Sequence, residues 1–247
     1  MIRRNLIFPN LITIMSMFAG FYSIVASLND LYVNAAYAIL VSFIFDGLDG
    51  KIARLLNATS DFGVQLDSLS DLVAFGVAPA VLVYKWLLIP YGRIGWMAAF
   101  LFVACGALRL ARFNVQAGKI DSSFFVGLPI PAAAGVIASS VLFVKEFFGD
   151  PYFFSIPISY VLLIYVLAFL MVSNFPYYSF KKLEWVSVKP FNILVIFVLF
   201  IFLMGLYPQL MLFVFFVLFA LSGIVLKLLR LHNKKPVYSE SGTKKVL

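Results

Sequence analysis

The sequence predicts an all-α, polytopic membrane bundle of about eight transmembrane helices, and three observations predict it. Of the 247 residues, 63% are hydrophobic and only 12% charged, with a mean hydropathy of +1.02. A soluble domain would carry about 25% charged residues and under half apolar ones. Apolar stretches of about 18 residues recur along the chain, parted by polar, proline or glycine breaks. With the N-terminus in the cytoplasm, sixteen of the 19 lysines and arginines fall at cytoplasmic ends, leaving Lys85, Arg93 and Lys145 outside. That split obeys the positive-inside rule, and it favours an even number of spans with both termini cytoplasmic.

The spans are expected near 11–28, 32–55, 62–84, 93–116, 128–147, 153–172, 191–206 and 208–230. The first follows Met1–Arg4 and Pro9 with no small-residue cleavage site, so it is read as a retained span. The second and third are joined by the polar break Asn57-Ala58-Thr59-Ser60-Asp61. Gly127, Pro129 and Pro131 shape the start of the fifth. The seventh is short, and Leu206-Tyr207-Pro208 allows either a tight turn or one bent helix. One membrane domain is expected over 1–231, followed by a polar, basic and disordered tail over 232–247.

This composition excludes a soluble globular enzyme, a disordered chain and a secreted disulfide scaffold. Cys105 stands alone and forms no internal disulfide. The net charge of +8 points to anionic lipid surfaces or phosphate-bearing substrates rather than nucleic acid, for which there is no base-reading motif.

Five of the 11 acidic residues, Asp46, Asp49, Asp61, Asp67 and Asp71, lie within 26 residues, and four of them interrupt apolar helices. A carboxylate within a span costs about 2.5–3.5 kcal/mol even on the lenient scale. Asp46 and Asp49 share one helix face, as do Asp67 and Asp71. In an antiparallel hairpin, Asp46 and Asp71 are equidistant from a turn centred between Ala58 and Thr59, and Asp49 and Asp67 nearly so. All four can meet at one level, roughly 14–19 Å from the turn at 1.5 Å per residue. Only Lys51 and Arg54 lie nearby, which leaves a negative surplus suited to one or two Mg²⁺, Mn²⁺ or Ca²⁺ ions. A buried ion-pair network and a cation-translocation site are the competing readings.

Small residues border the carboxylates. Gly47 reads as ordinary close packing; Gly50, Ala53 and Gly63 together would let a bulky ligand approach the backbone. Arg54, one turn beyond Gly50, suits a phosphate or diphosphate.

The string Asp46-x2-Asp49-Gly50-x2-Ala53-Arg54-x8-Gly63-x3-Asp67-x3-Asp71 resembles, without departure, the signature of the CDP-alcohol phosphatidyltransferases. It fixes eight positions over 26 residues. The resemblance implies an integral-membrane enzyme that uses Mg²⁺ or Mn²⁺ at a two-metal site. Such an enzyme transfers a phosphatidyl-type group from a CDP-linked lipid to an alcohol and releases CMP. It implies a homodimer as well. Asp46, Asp49, Asp67 and Asp71 would hold the metal, and Asp71 would also be the general base. Asn10, Thr13, Asp49, Gly50, Ala53, Arg54, Ser60, Asp61 and Gly63 would contact the CDP-lipid.

Further strings resemble the phosphatidylserine synthase branch of that family: Pro9-Asn10-Leu11-Ile12-Thr13, Arg109-Leu110-Ala111-Arg112-Phe113-Asn114, Gly127-Leu128-Pro129-Ile130-Pro131, and Tyr178-Ser179-Phe180-Lys181. They imply L-serine as the acceptor, with Arg109, Arg112, Asn114 and Lys181 toward serine or phosphate. Each string also has a plain reading: Pro9-Asn10 as a helix cap, the arginines as positive-inside anchors, Lys181 and Lys182 as membrane-surface charges. Glycerol 3-phosphate or an inositol phosphate remains the alternative acceptor, and a cation transporter the alternative class. The single histidine, His232, cannot supply the paired histidine motifs of phospholipase-D-like serine transfer. The donor is CDP-diacylglycerol or CDP-archaeol, since the tails meet a generic Phe/Leu/Val surface. The expected location is the cell membrane, multi-pass among its lipids, with the active site facing the cytoplasm.

Overall fold

The computed structural model describes residues 7–56, 58, 60–116, 124–149, 156–178, 202–203 and 205–232. Lys181, most of the expected seventh span and the tail from 233 fall outside these residues.

The chain folds as an all-α polytopic bundle. Helices α1 (Ile7–Leu28) and α2 (Tyr32–Leu55) form a hairpin with a three-residue turn. Asp30 takes a positive φ of 60° there. Its carboxylate accepts from the Tyr32 hydroxyl at 2.7 Å and pairs with Lys85 at 3.3 Å. The Tyr32 hydroxyl and the Lys85 ammonium hold the Asp30 carboxyl below the usual carboxylate range. Midway along the hairpin, Ser16 donates to the Ser42 carbonyl and Ser42 to the Ser16 carbonyl, both at 3.1 Å. Both serines are buried. In a bilayer such polar groups must find partners within the protein, and reciprocal pairing lets the two backbones approach closely.

A second hairpin joins α2 to α3 (Asp61–Asp71), which Ser60 caps by accepting from the Gly63 amide at 3.1 Å. A serine at this position satisfies one of the orphan donors of the first turn. The helical path then runs through a π-turn at Leu72–Val77, α4 (Ala78–Val83), a second π-turn at Tyr84–Leu88 and a 3₁₀ turn at Ile89–Tyr91. It continues into α5 (Gly92–Gln116). The 56 residues from Asp61 to Gln116 would extend roughly 80 Å if straight, far beyond a hydrocarbon core of about 30 Å. The path therefore reverses at Ile89–Gly92, where Gly92 has φ +53°, and α5 packs back on α4 and the first π-turn.

Strand β1 (Phe124–Val126) pairs antiparallel with β2 (Pro176–Tyr178), Phe125 opposite Tyr177. Between them lie α6 (Ile130–Phe147) and α7 (Ile156–Val172). Helix α6 is the central rod: thirteen of its residues are buried, with Ala132, Ala133, Ala134 and Gly135 near its start. It packs against α2 and the last helix, α8 (Pro208–His232), while α7 packs against α5. As expected from the sequence, Gly127 (φ +80°) and Pro129, the N-terminal cap of α6, set the angle at which this rod begins.

The third span is longer than expected, reaching Leu88 rather than residue 84, because the π-turns extend the helical path past Lys85. The ribbon of β1 and β2 is an addition to the expected architecture. It pairs two three-residue segments about fifty positions apart, too short to show alternation in a sequence.

Candidate active site

The site is built where the start of α1, the second half of α2 and the start of α3 meet, the two hairpins sharing α2. Asp46 and Asp49 on α2 and Asp67 on α3 each bring one carboxylate oxygen within 4.8 Å of the others. Asp71, one turn deeper on α3, lies near Asp46. The two pairings match the depth symmetry expected from the residue numbers. Asp49 is buried at 6% exposure and accepts from the Thr13 hydroxyl at 2.7 Å. Ser70 donates to the Thr13 carbonyl at 3.0 Å, so α1 is tied to both carboxylate helices within one turn. Ser70 was not singled out in the sequence; a hydroxyl between two intramembrane carboxylates was the available signal.

Among the described residues, no lysine or arginine forms an ion pair with these four carboxylates. Oxygen ligands around a Mg²⁺ or Ca²⁺ ion sit about 2.0–2.6 Å from it, and so up to about 5 Å from one another. Three hard oxygen donors within 4.8 Å, with a negative surplus, therefore fit a divalent cation.

Beside the carboxylates a cleft of about 170 Å³ opens between α1, α2 and the start of α3. It is lined by Pro9, Asn10, Thr13, Asp49, Gly50, Ala53, Ala58, Ser60, Gly63, Val64 and Asp67. Seven of the nine residues expected at a CDP-lipid meet here; Pro9, Ala58 and Val64 join them without having been expected. A Cβ on Gly63 would lie 3.2 Å from Ser60 Oγ and 3.4 Å from Asn10 Oδ1, whereas one on Gly50 would meet nothing within 4 Å among the described residues. The backbone at Gly50 thus faces open space. Pro9 and Asn10 fall inside the first turns of α1 and form a wall of the cleft.

The other two expected residues lie apart from it. Arg54 Nε donates to the Gly50 carbonyl at 2.9 Å, and Arg54 borders a separate depression with Lys51 and Leu55. Asp61 is exposed in the first turn of α3.

The arginines of α5 divide. Arg109 is buried at 8% exposure, its charge acts on Asp71, and its Nε has no hydrogen-bond partner among the described residues. Arg112 points elsewhere: its terminal nitrogens donate to the carbonyls of Val126, Val172 and Ser173 and to Asn174 Oδ1. Asn114 Nδ2 donates to Ser68 Oγ at 2.9 Å, which ties α5 to α3 between Asp67 and Asp71.

Chemically the arrangement is a line. The cleft leads to Asp49 and Asp67, then one turn deeper to Asp46 and Asp71, and ends at Arg109. A protein named CDP-diacylglycerol–serine O-phosphatidyltransferase from Helicobacter pylori (strain ATCC 700392 / 26695) is 41% identical over 220 residues, covering 89% of this chain and 90% of its own. One of the same name from Mycobacterium leprae is 39% identical over 191 residues, 74% of this chain and 61% of its own. Another of that name, from Methanocaldococcus jannaschii, is 40% identical over 133 residues, 54% of this chain and 59% of its own. The family model for CDP-alcohol phosphatidyltransferase matches residues 6–173, which hold the four clustered aspartates and every wall of the cleft. This multi-pass membrane chain belongs to the CDP-alcohol phosphatidyltransferase family.

Proposed function

We propose that the protein transfers the phosphatidyl or archaetidyl group of a CDP-linked lipid to the hydroxyl of L-serine and releases CMP. The carrying observation is the continuous line from the cleft, through four carboxylates, to a buried arginine with an unpartnered donor. The relatives named as serine transferases support the choice of acceptor.

The cytidine end lies in the cleft, where Asn10, Ser60 and Gly63 offer amide, hydroxyl and close backbone approach. Gly50 and Ala53 leave room for the diphosphate beside Asp49. Asp46, Asp49 and Asp67, with Asp71, hold the divalent metal. When bound, Mg²⁺ or Mn²⁺ would neutralise the diphosphate oxygens and the charge gathering on the departing CMP. The serine hydroxyl oxygen attacks the β-phosphorus; the bond from that phosphorus to the bridging oxygen breaks, and CMP leaves with the electron pair. Asp71 takes the hydroxyl proton as general base. Arg109, beyond Asp71, holds the serine carboxylate through its free donor. The positive-inside distribution supports a cytoplasmic position for this end of the bundle, where serine and nucleotide are available, with the lipid tails in the bilayer of the cell membrane.

The experiment is lipid product identification by mass spectrometry. Purified protein in detergent receives CDP-diacylglycerol, Mn²⁺ or Mg²⁺, and either L-serine, glycerol 3-phosphate, inositol phosphate or no acceptor. Phosphatidylserine formed only with serine is the expected result. Product from another acceptor overturns the choice of serine but keeps the site. No product from any acceptor, with CDP-archaeol also tried as donor, overturns the reaction.

A further inference from the structure

Arg112 lies one helical turn after Arg109, yet its guanidinium is committed away from the carboxylates. Nη2 donates to the Val126 carbonyl of β1 at 3.0 Å and to the Ser173 carbonyl at 3.4 Å. Nη1 donates to the Val172 carbonyl at 3.2 Å and to Asn174 Oδ1 at 3.3 Å. These acceptors belong to two separate segments, the end of α7 and β1, and a rigid planar fork can bridge them where a flexible ammonium cannot.

The joint is built around that fork. Gly127 sits against it at φ +80°, and a Cβ there would lie 2.9 Å from Arg112 Nη2. The Gly127 amide donates to the Phe175 carbonyl at 2.9 Å, and the Leu128 amide to the Leu170 carbonyl at 3.0 Å. On the far side, fully buried Tyr177 of β2 donates to the Ala220 carbonyl of α8 at 3.0 Å, with Gly223 beneath its ring. Lys227 of α8 lies 4.3 Å from the Phe175 ring centroid. A chain of contacts therefore runs from α8 through the ribbon to Arg112. From there α5 carries it to Asn114, bonded to Ser68, and to Arg109, beside Asp71.

We propose that Arg112 is a positioning residue rather than an acceptor ligand: it locks the β1–β2 ribbon to the end of α5 and so holds Arg109 and Asn114 in register with the carboxylate helix. The activity arm of its test rests on the proposed serine transfer; the exchange arms do not.

The test combines hydrogen–deuterium exchange of 124–128 and 173–177 with steady-state kinetics in Arg112→Gln and Arg112→Lys. Exchange at Gly127 and Leu128 is expected to rise at least tenfold in both variants. The kcat is expected to fall about ten- to a hundredfold, while the serine KM stays within threefold of wild type, with no rescue by lysine. A ligand role gives the reverse: exchange unchanged, serine KM raised tenfold or more, and partial rescue by the lysine charge. Exchange at the wild-type level in both variants overturns the proposal, as does raised exchange with unchanged kcat. A wild-type arm needs no substitution. Saturating serine with CDP-diacylglycerol should leave Gly127 and Leu128 exchange unchanged, and a rise, as Arg112 left its carbonyls for serine, overturns the proposal. If wild-type protein forms no phosphatidylserine, the functional reading fails, and ribbon exchange in the variants still decides the lock.

Discussion

The Thr13 hydroxyl donates to Asp49 Oδ2 across 2.7 Å, from one helix to the next, at the point where the cleft meets the carboxylates. The bond fixes one oxygen of a buried carboxylate at the edge of the cleft. Removing a donor from a buried acceptor costs about 1–3 kcal/mol. Thr13→Val is therefore expected to lower kcat/KM for the CDP-lipid about tenfold or more, and Thr13→Ser to restore most of it. Kinetics at saturating serine measure both.

Gly50 and Gly63 should separate cleft filling from cleft distortion. Gly50 has open space where a Cβ would stand, so Gly50→Leu should leave the thermal midpoint within a few degrees of wild type. It should raise the KM for the CDP-lipid about tenfold by filling the space beside Asp49. Gly63→Ala presses on Ser60 Oγ and Asn10 Oδ1 and should raise the same KM only a few-fold. An unchanged KM in Gly50→Leu places the diphosphate elsewhere.

Gly20 on α1 faces Ala74 of the first π-turn, and a Cβ there would lie 2.5 Å from Ala74 Cα. Gly20→Ala must push α1 off the segment that follows Asp71. Overpacking of this kind costs about 1–3 kcal/mol. Gly47→Ala meets nothing within 4 Å and gains helix propensity of about 1 kcal/mol. Thermal denaturation in detergent should lower the midpoint for the first variant and hold or raise it for the second.

Asp71 is set apart from the other three carboxylates. It lies near Asp46, feels the charge of Arg109 and is outside the cluster of three oxygens within 4.8 Å. Asp71→Asn should keep Mn²⁺ bound, read by electron paramagnetic resonance, while turnover falls about 10²–10⁴-fold, the usual share of a general base. Bound Mn²⁺ with near wild-type turnover removes the base role from Asp71.

The carboxylate site was legible because helix geometry is periodic. Four intramembrane aspartates in two pairs, symmetric about one polar turn, have few ways to sit except together. Of the cleft, Gly50, Ala53 and Gly63 were legible as small residues bordering the carboxylates, whereas Asn10, Thr13 and Ser60 were expected only through the family resemblance. Arg112 was not, because a guanidinium at i+3 from Arg109 shares its face by number, yet a long side chain can reach a neighbouring segment instead. Its acceptors are main-chain carbonyls, which carry no sequence signature. The π-turns after Asp71 were hidden for a related reason: they change hydrogen-bond pattern without changing hydropathy. Arg54 illustrates the opposite case, a motif residue whose guanidinium bonds back to its own helix and leaves the cleft to its neighbours.

The most direct measurement is CMP release by the purified wild-type protein in detergent with CDP-diacylglycerol, with serine and Mn²⁺ each added and withheld. The expected result is release that requires both, stops on chelation by EDTA and matches the serine consumed mole for mole. Release that persists without serine or after chelation contradicts the account, because the line from the cleft through Asp46, Asp49, Asp67 and Asp71 to Arg109 would then not be the path of the reaction.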